Sequence, residues 1–240
     1  MDENIRAVLF DVDGTLFDRS LAQRKVLDII VRQFPHIFNI FEIERVAKAF
    51  AESDRITTAD FEAGAPSSKI YGLRRKRSRL FLQLLGLQED ENLADAITEI
   101  YVRDYPTVDA AMAGAVPLVK ELSRRFIVGV VSNGLPDVQY RKLEAIGLQQ
   151  VLSCIVLSEE IGIRKPDPRI FHYAARLLQL QPSECLYVGD SYASDVVGAK
   201  TSGMLACWLK CGQSVTPDER AKADFVISSL EQLGQILRES

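Results

Sequence analysis

The sequence predicts an α/β fold, a parallel sheet flanked by helices and interrupted early by an inserted helical bundle. Three observations carry that expectation. Short, apolar, β-prone runs recur along the chain, and helical patterns lie between most of them. A βαβ alternation of this kind implies a parallel sheet with helices on both faces. From Leu21 to about Tyr105, however, strand-like runs vanish and apolar residues recur only at helical spacing.

Taken in order, Ala7-Val8-Leu9-Phe10 is a short apolar run that stops at Asp11, and it reads as a buried strand. In the insert, four groups of apolar residues have helical spacing. The first is Val26, Ile29, Ile30 and Phe34, and the second is Ile43, Val46, Ala47 and Phe50. The third is Leu80, Leu84, Leu85 and Leu87, and the fourth is Ala94, Ile97, Ile100 and Tyr101. They predict roughly four helices, broken at Pro35, at Gly64-Ala65-Pro66-Ser67-Ser68 and at Gly86. After Pro106 a helix is expected over Val116 to Arg124, with others at Val138 to Ala145 and Arg169 to Leu178. Strands are expected at Phe126 to Val131, Cys154 to Leu157, Cys185 to Val188, Leu205 to Leu209 and Phe225 to Ile227. The expected division is a core of residues 1–17 and 106–240 and a helical insert of residues 18–105. Ligands of open parallel sheets bind beyond the carboxyl ends of the strands, so an insert leaving from there is expected to act as a lid.

The composition is that of an ordinary soluble globular chain. Of 240 residues, 47% are hydrophobic and 26% charged, enough to build a core without disulfide staples. A net charge of −4 argues against a partner that is a nucleic-acid polymer. Cys154 and Cys185 read as buried thiols, and Cys207 and Cys211 as unpaired ones. With no CxxC pair and only His36 and His172, a zinc site is not expected. The N-terminus does not read as a signal peptide, and no apolar stretch reaches the roughly 18 residues of a membrane span. A cytoplasmic location is the expectation.

The chemistry lies where the strands end. The first run ends in Asp11 and Asp13, and the second in Ser132-Asn133-Gly134. The third is followed by Ser158-Glu159-Glu160 and then Lys165-Pro166-Asp167. The fourth ends in Gly189-Asp190, with Asp195 beyond. A parallel sheet brings all four to one edge. Asp11 and Asp13, two apart on an extended strand, point the same way. Like charges so placed raise a pKa unless a cation or a shared proton relieves them, and Asp190 adds to the repulsion. Oxygen ligands with no histidine nearby select a hard ion such as Mg2+. Gly14 and Thr15 form a turn whose backbone N–H groups could approach an anion. Ser132 offers a hydroxyl and Lys165 a compact positive charge. This set suits hydrolysis of a phosphate monoester, where a covalent step, a metal, a positioned acid and charge neutralisation must act together.

Asp11-Val12-Asp13-Gly14-Thr15-Leu16, Ser132-Asn133, Lys165-Pro166-Asp167-Pro168 and Gly189-Asp190 through Asp195 resemble, in order, the four motifs of the haloacid-dehalogenase-like hydrolases. The resemblance covers about residues 1–17 and 106–240. It implies a Rossmann-like core in which Asp11 becomes an aspartyl phosphate and Asp13 acts as acid and then base. Mg2+ would be held by Asp11, the Asp13 carbonyl and Asp190. Asp195 would orient the metal's water shell or hold Lys165, while Ser132, Asn133 and Lys165 bind phosphoryl oxygens. The insert resembles the family's helical cap in position and texture. Ser132-Asn133-Gly134, Ser158 to Gly162 and Cys207-Trp208-Leu209 look most like the subgroup with nucleoside 5′-monophosphatases.

The expected partner is a small phosphorylated metabolite, on a monomer or homodimer with no membrane association. A sugar-phosphate mutase on the same scaffold is the alternative, and an inactive binding module is a further one. A dehalogenase is not expected, because the family's dehalogenases lack the second aspartate that Asp13 supplies. The basic run Arg74-Arg75-Lys76-Arg77-Ser78-Arg79 reads as a solvated helix face, unless one member reaches a second anionic group of the substrate. Phe34, Phe38, Phe41 and Phe61 read as core of the insert, and Trp208 as core or sheet-edge packing. The turn from Phe34 to Phe41 and the loop from Gly64 to Ser68 are candidates for substrate contact.

Overall fold

The computed structural model describes residues 5–62, 70–210, 212 and 216–238. The loop from Gly64 to Ser68, Cys211 and the side chain of Phe61 lie outside what is described. The chain forms two compact units. One runs up to Arg19 and resumes at Asp109, and the other is Ser20–Val108.

The strands are β1 (Ala7–Phe10), β2 (Ile127–Ser132), β3 (Cys154–Leu157), β4 (Cys185–Gly189), β5 (Leu205–Leu209) and β6 (Phe225–Ile227). Helices α1 to α5 are Arg19–Gln33, Pro35–Phe38, Ile43–Glu62, Ile70–Leu85 and Glu91–Asp104. Helices α6 to α9 are Ala115–Leu122, Pro136–Ala145, Ser158–Ile161 and Pro168–Leu177, and α10 to α12 are Val197–Thr201, Pro217–Lys222 and Leu230–Arg238.

Among the described residues, six strands pair in parallel, in the order β3-β2-β1-β4-β5-β6. Every residue of β1 is fully buried, as a central strand covered on both faces must be, which is why it reads as an unbroken apolar run. Phe10 pairs with Val130 on one side and Val188 on the other, so Asp11 leaves the sheet between the ends of β2 and β4. The strand order reverses at β1, the point where open sheets of this class place their ligands. Under the sheet, Phe171 of α9 packs edge-on against Tyr187, with ring centroids 4.9 Å apart.

Several boundaries move from their expected places for local reasons. Helices α7 and α9 each start on a proline, which has no N–H to leave unsatisfied in a first turn. Strand β2 runs through Ser132 and β4 through Gly189, because their last residues still pair with Leu157 and Trp208. The one-turn α8 and a π-helical turn over Tyr192–Val196 have no periodicity long enough to show in sequence. That π turn carries Asp195, and such turns are frequent at functional sites.

Among its described residues, the second unit contains four long helices and the single turn α2. Its centre is aromatic. Phe81 stacks on Phe38 with centroids at 5.5 Å and meets Phe50 edge-on at 5.2 Å. Phe38 is therefore core, as expected, while Phe34 and Phe41 are half-buried. The basic run is not one solvated face. Arg77 is buried, its guanidinium lies 3.1 Å from the Tyr101 ring centre, and it sits 3.6 Å from Asp54. Arg75 pairs with Asp95 and Glu91, Lys76 with Asp60 and Arg79 with Glu91, all within the unit. Only some side chains of a helix can point inward, and here the inward one has an acid waiting.

Candidate active site

Asp11 continues the ladder of β1, its N–H donating to the Val188 carbonyl at 2.9 Å. The chain then turns tightly. The amides of Thr15, Leu16 and Phe17 all point at the Val12 carbonyl, and that of Gly14 at the Phe17 carbonyl. This corrects one expectation: the N–H groups of Gly14 and Thr15 are committed inside the turn and do not line an anion site. Gly14 is required for other reasons. Its φ of +82° favours glycine, and a Cβ there would overlap the Asp190 carboxylate.

The expected repulsion between Asp11 and Asp13 is relieved by two separate lysines. Lys165 Nζ donates to Asp11 Oδ1 at 2.6 Å, to Asp195 Oδ1 at 2.7 Å and to the Tyr187 hydroxyl at 2.8 Å. An ammonium has three protons, and all three are engaged. Burial pushes Asp11 up to about 6, with Asp195 adding to the rise and Lys165 opposing it. Burial also works to lower Lys165, but the Asp11 and Asp195 carboxylates override it and raise it, so it stays charged.

Asp13 has its own partners. Lys142 Nζ donates to Oδ1 and Gln139 Nε2 to Oδ2, both at 2.6 Å. Burial alone would raise Asp13. The charges of Lys142 and Arg19, with hydrogen bonds from Lys142 and Gln139, leave it below its ordinary value.

Asn133 also departs from its expected role. Its Oδ1 accepts from the Lys165 backbone N–H at 2.8 Å, and its Nδ2 donates to the Lys165 carbonyl at 2.9 Å. The amide thus clamps the loop that presents Lys165, and one Nδ2 hydrogen remains beyond that clamp. Ser132 is buried at the end of β2, with its Oγ 3.3 Å from Gln139 Nε2.

Asp190 is held through its backbone, where Trp208 Nε1 donates to its carbonyl at 3.0 Å. Asp11, Asp190 and Asp195 each bring a carboxylate oxygen into one group spanning 4.8 Å. Burial, and then the Asp11 and Asp195 charges, push Asp190 up to about 7. Three carboxylates face one ammonium, so with all three ionised two negative charges remain. An all-oxygen set with surplus negative charge fits a hard divalent cation. Asp195 is already occupied, its Oδ1 by Lys165 and its Oδ2 by the Ser191 N–H at 2.9 Å. Asp13 faces α7, so its carboxylate is not part of the group.

The sequence reading missed Gln139, Lys142 and Tyr187. Gln139 and Lys142 are three apart on a predicted helix and so share a face, but nothing local said which face met Asp13. Tyr187 was the one residue with a polar tip in an apolar strand. Its hydroxyl donates to the Val131 carbonyl at 2.7 Å while accepting from Lys165.

Comparison with known proteins places the chain in a family. Residues 5–203 match the family described as haloacid dehalogenase-like hydrolase. A glyceraldehyde 3-phosphate phosphatase from Methanopyrus kandleri is 30% identical over 98% of both chains. The pyrimidine 5′-nucleotidase YjjG of Escherichia coli is 27% identical over 96% of both. Among solved structures, the HAD-hydrolase YfnB of Bacillus subtilis, bound to magnesium, superposes with a TM-score of 0.79 at 25% identity. That match covers 98% of this chain and 100% of the other.

Proposed function

The chain belongs to the haloacid dehalogenase-like hydrolases, and from that premise we propose that it hydrolyses phosphate monoesters of small metabolites through an aspartyl phosphate on Asp11. The observation that carries the reading is the pair Asp11 and Asp13, two carboxylates held on different lysines. Lys165 occupies Oδ1 of Asp11, which leaves Oδ2 to attack phosphorus in line. Asp13 rests ionised between Lys142 and Gln139, so it first takes up a proton from solvent; as the Asp11–phosphorus bond forms and the ester bond breaks, it gives that proton to the leaving alkoxide. Asp13 then takes a proton from the water that attacks the phosphoenzyme, and Asp11 and inorganic phosphate are released. Ser132 would donate to a phosphoryl oxygen.

A Mg2+ ion would be held by Asp11, Asp190 and the Asp13 carbonyl, and would supply charge neutralisation for the phosphoryl oxygens. The relatives act, by name, on a phosphorylated triose and on pyrimidine nucleotides. The substrate class is therefore a small phosphorylated metabolite, with nucleoside monophosphates the first to test. A panel of nucleotides, triose and hexose phosphates with Mg2+ tests the reading by release of inorganic phosphate. Isomerised product without release would instead indicate a mutase, and no turnover of any ester by folded protein would refute both.

The metal makes a prediction that needs no turnover. Asp190 is pushed up to about 7 in the metal-free protein, against about 3.9 when unfolded. A carboxylate raised on folding stabilises least once ionised in place, so stability falls as pH rises through about 7. In EDTA, the wild type should lose several °C of melting temperature relative to Asp190→Asn between pH 5 and 8. Mg2+ binding requires ionised carboxylates, so it should raise the wild-type melting temperature more at pH 8 than at pH 5; at a hundred times the pH 8 Kd the stabilisation is about 2.7 kcal/mol. An equal Mg2+ effect at both pH values, or in Asp190→Asn, would contradict the assignment.

A further inference from the structure

Helix α7 reaches the site with two side chains that no motif reading singled out. Gln139 and Lys142 are 2% and 3% exposed, so neither is a surface residue that happens to touch Asp13. Each takes a different oxygen of that carboxylate at 2.6 Å, which fixes its plane as well as its place. Charge-assisted hydrogen bonds of this length are among the stronger ones.

The surroundings are shaped for this contact. A Cβ on Gly134 would overlap the Gln139 side chain, so glycine there opens the path from α7 to Asp13. Gln139 Nε2 also touches Ser132 Oγ at 3.3 Å, which ties Asp13 to the end of β2. Gln139 Oε1 is buried with no hydrogen-bond partner among the described residues, a cost of about 1–3 kcal/mol. Lys142 Nζ lies 4.9 Å from the ring centre of Phe17, in the same turn as Asp13.

We propose that Gln139 and Lys142 are positioning residues for the acid–base carboxylate, holding Asp13 in the orientation from which it exchanges protons with the leaving group and with water. The proposal rests on the phosphatase reading and adds to it two residues acting through Asp13. They touch neither phosphorus nor the metal-binding group. Lys142 acts through Asp13 alone and Gln139 reaches the phosphate only through the Ser132 hydroxyl, so their loss weakens proton transfer far more than attack by Asp11.

The test uses Gln139→Ala, Lys142→Met and the conservative Lys142→Arg. Single-turnover rates are measured with p-nitrophenyl phosphate, whose leaving group needs no proton, and with an alkyl phosphate, whose leaving group does. For the first two variants, the expected result is a fall of roughly 100-fold for the alkyl ester with KM little changed, set by the contribution of general acid catalysis. The p-nitrophenolate burst should change by less than about threefold on the same grounds, and Lys142→Arg should recover most of the loss. Equal falls for both esters, or none for either, would overturn the proposal. Crystal structures of Gln139→Ala and Lys142→Met give an arm independent of turnover. The Asp13 carboxylate should leave its place while Lys165 keeps Asp11 and Asp195. Asp13 unmoved in both variants would overturn the proposal whatever the rates. Asp13 displaced in the variants of an enzyme whose wild type hydrolyses no ester would support the positioning role and refute only the phosphatase reading.

Discussion

Replacing Asp11 by Asn is expected to reduce phosphate release by about 10⁴-fold or more, in line with removal of a nucleophile elsewhere. The substitution keeps size and shape and removes only the charge that attacks. The fold should survive it. Asp11 is raised to about 6 by burial, so at neutral pH its ionised form is held at a cost that Asn does not incur. The sign follows from linkage. A carboxylate whose pKa rises on folding contributes least above that pKa, so the variant should match or exceed the wild type relative to its own value at pH 5. Circular dichroism melts at pH 5 and 8 beside phosphate-release assays check both halves. Retained turnover in the folded variant would remove Asp11 from the mechanism.

Lys165→Met is expected to have the largest effect on stability. The methionine fills the space of the stem but donates nothing. Asp11 Oδ1, Asp195 Oδ1 and the Tyr187 hydroxyl lose their common donor. Asp11 and Asp195 are then 7% and 1% exposed carboxylates with no cation between them. Breaking a buried pair from one side costs about 3–5 kcal/mol. At about 2–4 °C per kcal/mol for a chain of this size, melting should drop by roughly 10 °C. Without Lys165 opposing burial, Asp11 titrates above about 6, so residual activity should move to higher pH. A melting temperature within about 2 °C of wild type would show that the lysine is not the counter-charge the geometry makes it.

What the sequence disclosed follows from the physics of each part. The strands were legible because a parallel sheet buried on both faces needs unbroken apolar runs, and Ala7 to Phe10 is one. Asp11, Asp13, Lys165 and Asp190 were legible because strand ends in such a sheet converge. The roles of individual groups were less so. Ser132-Asn133 suggested two phosphate ligands, yet Asn133 is turned onto the Lys165 backbone. Gly14-Thr15 suggested free amides, yet the turn closes on itself through the Val12 and Phe17 carbonyls. Gln139 and Lys142 sit 126 and 129 residues from Asp13, and only the fold brings them together. In the second unit, helical texture was plain, but that Arg77 turns inward while Arg75 pairs outward depends on where Asp54 and Asp95 fall.

The central claim is that Asp11 carries the phosphoryl group. Its most direct test is a rapid acid quench of the Asp13→Asn variant with radiolabelled p-nitrophenyl phosphate and Mg2+. This ester needs no acid to leave, and the variant has no base to activate water, so a phosphoenzyme should accumulate. The account predicts one acid-stable, hydroxylamine-labile label per chain, in the peptide containing Asp11. Labelling of another residue, or release of phosphate with no label on the protein, would contradict it.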